Sequence, residues 1–441
     1  MSILDTLLRQ QEPAFADRSP NLYAPFEARR LQGARVAWLN RRWFAQAGVD
    51  VDAPGVRAGI EAWLLRHYAV CVPGADDPHD LYTADLQTLF ADRYGAPGGS
   101  AHGGSGRVGT FGGFNAKGIG RTPLASVQSD WYHSHGYMWL EEAVRETILS
   151  EVASRIFPHG AVPVVALLDA GCRIHWRDGS TGARRAIIVR PAFLRIASFM
   201  RSIFFGRGGY AGSEQWIDSQ RVRDLWRSDW GSGGVGAVFR AAFTATGRQY
   251  GFGRVLRMWP GPPFASNLTL EGALVDFGSF RALPDWSCAQ GETASHGFGA
   301  ENTLITAAAR ALERIGRQNG IPICARELTA YFSAGVERGE SEALLTHDIA
   351  VGSPLALELA ALRTQQRRRV TSLQGARADA VVIGRLAPFP DLYRERLLRE
   401  TEAMICVMGE GANSDYVSLD GFIDARVRLA WQHASPASLR A

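Results

Sequence analysis

Gly112-Gly-Phe-Asn-Ala-Lys117 runs directly into Gly118-Ile-Gly-Arg-Thr-Pro123. The first half reads as a short strand ending at Lys117, and the glycines and Pro123 then turn the chain away. Lysines and arginines together number 48, and Lys117 is the sole lysine among them. An ammonium is a compact point charge that a guanidinium does not replace at a tight phosphate site. A lone lysine in so arginine-rich a chain therefore points to a place that needs a small cation.

The neighbouring segments supply the elements around that strand. Between Tyr94 and Gly120 the chain is rich in glycine but punctuated by Arg107, Phe111, Phe114 and Lys117, which suits an ordered loop between short strands better than a linker. Arg35-Val-Ala-Trp-Leu-Asn40 reads as a strand that passes into a helix ending near Ala47. From Leu140 to Ile156 the apolar positions Val144, Ile148, Val152 and Ile156 recur every four residues, with Glu141, Glu142, Arg145 and Glu146 on other faces. Pro158 and Gly160 stop this helix. Val162 to Asp169 and Ala186 to Val189 read as adjacent strands joined across a turn at Arg177-Asp-Gly-Ser180.

After Phe199 the pattern becomes helical. One amphipathic helix spans Leu304 to Ile315 and stops at Asn319-Gly-Ile-Pro322, and others are expected over Glu327 to Ala334, Pro354 to Arg369 and Leu392 to Met404. The expected fold class is α+β, with residues 1–205 a mixed strand-and-helix lobe and residues 206–441 a mainly helical one.

Composition narrows the function. With 441 residues, 46% hydrophobic and 21% charged, the chain is an ordinary globular protein. A net charge of +4 is too small for a nucleic-acid partner unless the basic residues cluster. One run does, Arg363 to Arg369, and it reads as a solvated helix face or as a docking patch. The five cysteines (Cys71, Cys172, Cys288, Cys324 and Cys406) form no CxxC pair, which argues against a structural zinc site and fits a reducing compartment. Met1 to Arg18 lacks the long apolar core of a signal peptide, and the longest apolar stretch, near Ala161 to Leu168, is too short to span a bilayer. A cytoplasmic protein without membrane partners is expected.

Phosphoryl and nucleotidyl transfer need a cation on the phosphates, a carboxylate to hold that cation, and oxygen ligands for a metal ion. Lys117 on a strand and Glu146 on a helix are candidates for the first two. In Ser266-Asn-Leu-Thr-Leu-Glu-Gly-Ala-Leu-Val-Asp-Phe-Gly278, the Asn267 amide and the Asp276 carboxylate lie nine residues apart across a hairpin-like segment and offer hard oxygen ligands for Mg²⁺. Arg190 and Arg195 follow the Ile187 to Val189 strand and suit bidentate contact with phosphate oxygens.

In type and order these residues resemble the SelO family of kinase-like protein adenylyltransferases. Lys117-Gly-Ile-Gly-Arg-Thr-Pro123 is close to that family's K-G-A-G-R-T-P. Val36-Ala-Trp-Leu-Asn40 resembles its V-W-L-N, and Gly104-Ser-Gly-Arg107 its G-D-G-R. Val144-Arg-Glu146 and Ser150-Glu151 are similar to its I-R-E and S-E, and Arg190 with Arg195-Ile-Ala-Ser-Phe199 to its paired-arginine segment. Asn267 and Asp276-Phe-Gly278 resemble its N and D-Y-G, and His296 to Asn302 its Y-G-N-Q segment. The similarity runs from about residue 34 to 315.

The resemblance implies a bilobal protein-kinase-like fold and transfer of AMP from ATP, with Mg²⁺, to a protein or peptide acceptor. Lys117 and Glu146 would form the ion pair, and Arg107, Lys117, Gly118, Arg190 and Arg195 would cradle the phosphates, the two last at the terminal one. Asn267 and Asp276 would bind the metal. Ser266 stands where the family carries its catalytic aspartate, and Pro260 where it carries a histidine.

Two explanations of the departure at Ser266 compete: the protein has lost catalysis and only binds nucleotide, or its acceptor needs no base. A carboxylate is ionised at pH 7 and has no proton to lose, and related kinase-like proteins stand beside peptide natural-product genes such as those for microcins. The alternatives are an inactive ATP-binding pseudokinase, a kinase transferring the γ-phosphoryl group, and a peptide-binding module. For the last, the 12 tryptophans and the polar insertion holding Trp131, Tyr132, His133 and His135 offer surface, although that insertion also reads as a loop that merely packs.

Overall fold

The computed structural model describes residues 12–97, 102–126, 134–175, 179–206, 212–256, 258–282, 301–346, 420–425 and 427–428. Among these, strands β1 (Tyr23–Leu31) and β2 (Arg35–Leu39) lead into helices α1 (Arg41–Gln46) and α2 (Val56–Tyr68). Strands β3 (Val70–Cys71), β4 (Tyr82–Asp92), β5 (Val108–Phe111) and β6 (Phe114–Lys117) follow, then α3 (Leu140–Ile156), β7 (Ala166–His175) and β8 (Thr181–Pro191). The remainder is α4 (Gly212–Arg227), α5 (Gly234–Leu256), the short pair β9 (Met258–Trp259) and β10 (Arg281–Ala282), α6 (Glu301–Gln318) and α7 (Ala325–Thr346). The protein is thus mixed α+β with an antiparallel sheet. No helix among the described residues is long and apolar enough to cross a membrane.

Two compact units form. The described part of the first comprises residues up to 147, 162–228 and 420–423; that of the second comprises 148–161, 229–346 and 424–428. The first unit therefore extends past residue 205, because α4 docks on it through side chains rather than joining the later helices. Arg221 donates to the Met200 carbonyl at 2.6 Å, and the Trp226 indole N–H donates to the Phe199 carbonyl at 2.9 Å.

The first unit is built on an eight-stranded sheet in the order β2-β7-β8-β6-β5-β4-β1-β3, and its pairs are antiparallel. Side chains alternate faces along a strand. On β6, Phe114 and Ala116 enter the apolar core, together with Ile187 and Val189 of β8. Asn115 and Lys117 consequently share the opposite face, where the register sets Asn115 beside Arg190 and Lys117 beside Ile188. The expected strand Val162 to Asp169 enters the ladder only at Ala166.

Arg185, on β8, shows how the interior holds charge. It is fully buried, donates to both Asp77 oxygens at 3.2 and 3.1 Å, and stacks over the Tyr137 ring. Burial pushes the neighbouring Cys71 thiol up to about 12 even though Arg185 donates to it.

In the second unit α5 and α7 run against each other closely enough to exclude side chains. A Cβ on Gly247 or Gly251 would strike the Phe332 or Val336 carbonyl, and one on Gly335 or Gly339 would strike that of Thr244 or Arg248. Each helix thus presents glycines four apart to the other backbone, the spacing that lets helices approach most closely. Arg254 flanks the seam with a 3.0 Å ion pair to Glu340. The expected helix at Glu327 to Ala334 proves to be the much longer α7. The Asn319 side chain bonds the Ile315 carbonyl at 2.9 Å, and Gly320 at φ +72° closes α6.

The Arg363–Arg369 run, the helices expected over 354–369 and 392–404, Trp131, Tyr132, His133, Cys288, Cys406, Arg177 and Asp178 of the 177–180 turn, and His296 to Ala300 lie outside the described residues. Two glycines are expected to respond with opposite signs in denaturant unfolding. Gly251→Val should lower stability by about 1–3 kcal/mol through overpacking. Gly59→Ala, at an α2 position with open space around it, should raise stability by about 0.5–1 kcal/mol.

Candidate functional site

Lys117 and Glu146 meet. The lysine Nζ lies 2.6 Å from Glu146 Oε2, and both residues are almost fully buried. The other Glu146 oxygen accepts from Arg190 at 3.2 Å, and Arg190 Nε donates to the Asn115 amide oxygen at 3.1 Å. Two cations from neighbouring strands thus converge on one helix carboxylate. Strand periodicity places Asn115 and Lys117 on one face, the β6–β8 register adds Arg190, and α3 brings Glu146 over them.

From Ala143 to Ala153 every residue of α3 is buried, including the charged Arg145, Glu146 and Glu151. A four-residue apolar repeat does not announce such a helix. Once it is buried, each polar group on it requires a partner.

Arg107 takes a different partner from a phosphate in this structure. Its guanidinium pairs with Glu142 at 2.8 Å, one helical turn before Glu146. Its carbonyl accepts the Gly118 N–H at 2.9 Å. Gly118 has φ +102°, and a Cβ there would press on the Ala186 carbonyl oxygen and on Met138. Only glycine carries the chain from Lys117 into the turn without displacing β8.

Arg195 sits 3.6 Å from Asp92, with its guanidinium 4.5 Å from the Tyr94 ring centroid and 4.6 Å from that of Phe193. Arg190 lies 5.4 Å from the same Phe193 ring. A single aromatic ring therefore carries both arginines on its surface, an arrangement that favours cations.

Ser266, Asn267 and Asp276 lie in the second unit. Ser266 and Asn267 end a one-turn 3₁₀ helix, half-buried, with the Ser266 hydroxyl 3.5 Å from the Asn267 amide oxygen. The chain turns at Thr269, whose hydroxyl bonds the Ala273 carbonyl at 3.0 Å, and reaches the exposed Asp276. Asp276 has φ +62°, a left-handed conformation found in few non-glycine residues and enriched at functional sites. Asn267 also lines a cleft of about 20 Å³ with Tyr250, Pro260, Pro262 and Thr269, room for a water but not for a nucleotide.

The donor set at these two residues is an amide oxygen and a carboxylate. No group of three or more His, Cys, Asp or Glu side chains able to hold a metal occurs among the described residues. Two protein oxygens fit Mg²⁺, which completes its shell with phosphate oxygens and water, and do not fit a metal held by protein alone. Around the expected base, no residue from Met258 to Leu270 carries an ionisable side chain.

Asn115, Glu142 and Asp92 are parts that the sequence analysis did not single out. The first two carried a signal. Asn115 stands two residues before Lys117 on a strand, and Glu142 four before Glu146 on a helix, so each shares a face with a residue already identified. Asp92 is distant in sequence and had none. His135 serves its own loop, its Nδ1 accepting the Tyr137 N–H at 2.9 Å.

No family model matches the chain, and no curated protein matches its sequence.

Glu146→Gln takes the shared carboxylate from two buried cations and is expected to destabilise the protein by roughly 3–5 kcal/mol. Lys117→Met leaves Glu146 paired with Arg190 and is expected to cost less, about 1–3 kcal/mol. The double variant should recover part of that loss in a double-mutant cycle from urea unfolding, whereas strictly additive losses would show that the pair is not coupled.

Proposed function

We propose that this protein binds ATP with Mg²⁺ in a kinase-like fold of SelO type and transfers AMP to a carboxylate on a protein or peptide acceptor. The observation that carries the proposal is the buried Lys117–Glu146 pair, with Arg190 on the second oxygen of the same carboxylate. Burying such a pair brings little net stability by itself, so its presence is better accounted for by a phosphate-binding role than by folding.

In this proposal Lys117 and Arg190 lie against phosphate oxygens while Glu146 fixes their orientation. Arg195 binds the terminal phosphate from its aromatic seat, and Gly118 lets the backbone pass close by. Asn267 and Asp276 hold Mg²⁺, which would neutralise charge that develops on the phosphates. Ser266 lies beside Asn267 and offers a hydroxyl where a general base would stand. With no ionisable side chain from Met258 to Leu270, the acceptor arrives already deprotonated, and a carboxylate does so at pH 7. Its oxygen would attack the α-phosphorus and expel pyrophosphate, leaving an acyl-adenylate.

The same absence of a base favours one second reading, a nucleotide-binding protein without transfer activity. ATP labelled at the α or the γ position, incubated with Mg²⁺ and a panel of peptide acids, separates the possibilities. Label from the α position should reach a hydroxylamine-sensitive adduct on the acceptor, and Asp276→Ala should abolish it. Transfer of the γ label would instead identify a kinase, and transfer of neither across the panel would leave nucleotide binding alone.

A further inference from the structure

The turn that follows Arg195 is held from outside by α4, and its carbonyls from Ala197 to Met200 are engaged. Gly95 N–H donates to Ala197 O at 3.0 Å. Arg221 donates to Ser198 O and, at 2.6 Å, to Met200 O, and between them the Trp226 indole donates to Phe199 O at 2.9 Å. Four successive carbonyls therefore have fixed donors, three of them from two side chains on one helix.

Arg221 is itself held in place. Asp218, one helical turn earlier, accepts from its Nε at 3.2 Å and its Nη2 at 2.6 Å, and also takes the Ser202 N–H at 3.0 Å and the Arg201 Nε at 2.8 Å. Asp218 and Arg221 are both fully buried. A surface arginine on α4 would serve to tether the helix; this one is desolvated and divides its fork between two backbone oxygens, a geometry that sets position to within a fraction of an ångström.

The turn transmits that position to Arg195. Arg195 N–H bonds the Ser198 hydroxyl at 3.3 Å, and Ser198 N–H returns to the Arg195 carbonyl at 2.9 Å. The Gly95 amide that binds Ala197 follows Tyr94, whose ring supports the Arg195 guanidinium. One buried network thus fixes both the backbone of Arg195 and one of the rings it lies on.

We infer that Arg221 is a positioning residue for Arg195: together with Trp226 it locks the 196–200 turn so that the Arg195 guanidinium stands ready for a terminal phosphate. The inference rests on the nucleotide-binding proposal above, which supplies the role of Arg195.

The test is a double-mutant cycle read by calorimetric titration of the full chain with Mg²⁺ and either ATP or AMP. Arg221→Lys keeps the charge but loses the fork. Trp226→Phe removes the indole donor, together with part of a buried ring, and serves if Arg221→Lys folds poorly. Each is expected to weaken ATP about tenfold, the scale of one charge-assisted phosphate contact, while leaving AMP, which lacks that phosphate, unchanged. In the Arg195→Ala background neither should weaken ATP further. Equal losses for ATP and AMP, or losses that add to that of Arg195→Ala, would overturn the positioning role while leaving the nucleotide site in place. An Arg195→Ala variant that binds ATP as tightly as wild type would overturn the phosphate role of Arg195 and the inference with it.

Discussion

A buried ammonium must be met by a carboxylate, and in the first unit that requirement fixes several elements at once. For Lys117 Nζ to reach Glu146 at 2.6 Å, β6 must be in register with β8 and α3 must lie across that face of the sheet. Gly118 must then turn the chain without a side chain, and Arg190 is drawn onto the second carboxylate oxygen. Any slip of β6 by one residue would exchange Lys117 with the apolar Ala116 and send the charge into the core, a change that strand alternation makes all or none. The ion pair and the sheet register are therefore one constraint seen from two sides.

Arginine supplies nearly all the cationic groups of this chain, and the fold uses its planar fork as a structural tool. Arg185 spans Asp77 and Cys71 within the core, Arg221 grips two backbone carbonyls, and Arg254 joins Glu301 and Glu340 beside the helix seam of the second unit. Each of these sites needs donors pointing in fixed, separate directions, which guanidinium provides and ammonium does not. Lys117 is the converse case, a compact charge brought to 2.6 Å from a carboxylate oxygen.

Local pattern made some of this legible. The α3 limits, the β2-to-α1 passage, the stop at Asn319-Gly320 and the placing of Lys117 at a strand end all follow from short-range periodicity and from turn residues with fixed backbone preferences. The late start of β7 had one signal, Pro163, which has no N–H to give a ladder; the apolar run around it is otherwise like the paired residues that follow. The full burial of α3 was hidden: its charged residues look like a solvated face until tertiary partners exist. The assignment of α4 to the first unit depends on Arg221 and Trp226 reaching carbonyls more than twenty residues earlier in sequence, a relation that no periodicity encodes. At the candidate site, residues on shared faces could be inferred by spacing, while Asp92 beside Arg195 could not.

The deciding measurement is titration of ATP into the wild-type protein and Lys117→Met, each with and without Mg²⁺. Binding to the wild type should be saturable and Mg²⁺-dependent, and should be lost in Lys117→Met while the variant remains folded by circular dichroism. Binding of equal strength to both proteins would contradict the proposal, as would an absence of binding to the wild type; either result would reduce the Lys117–Glu146 pair to a structural element.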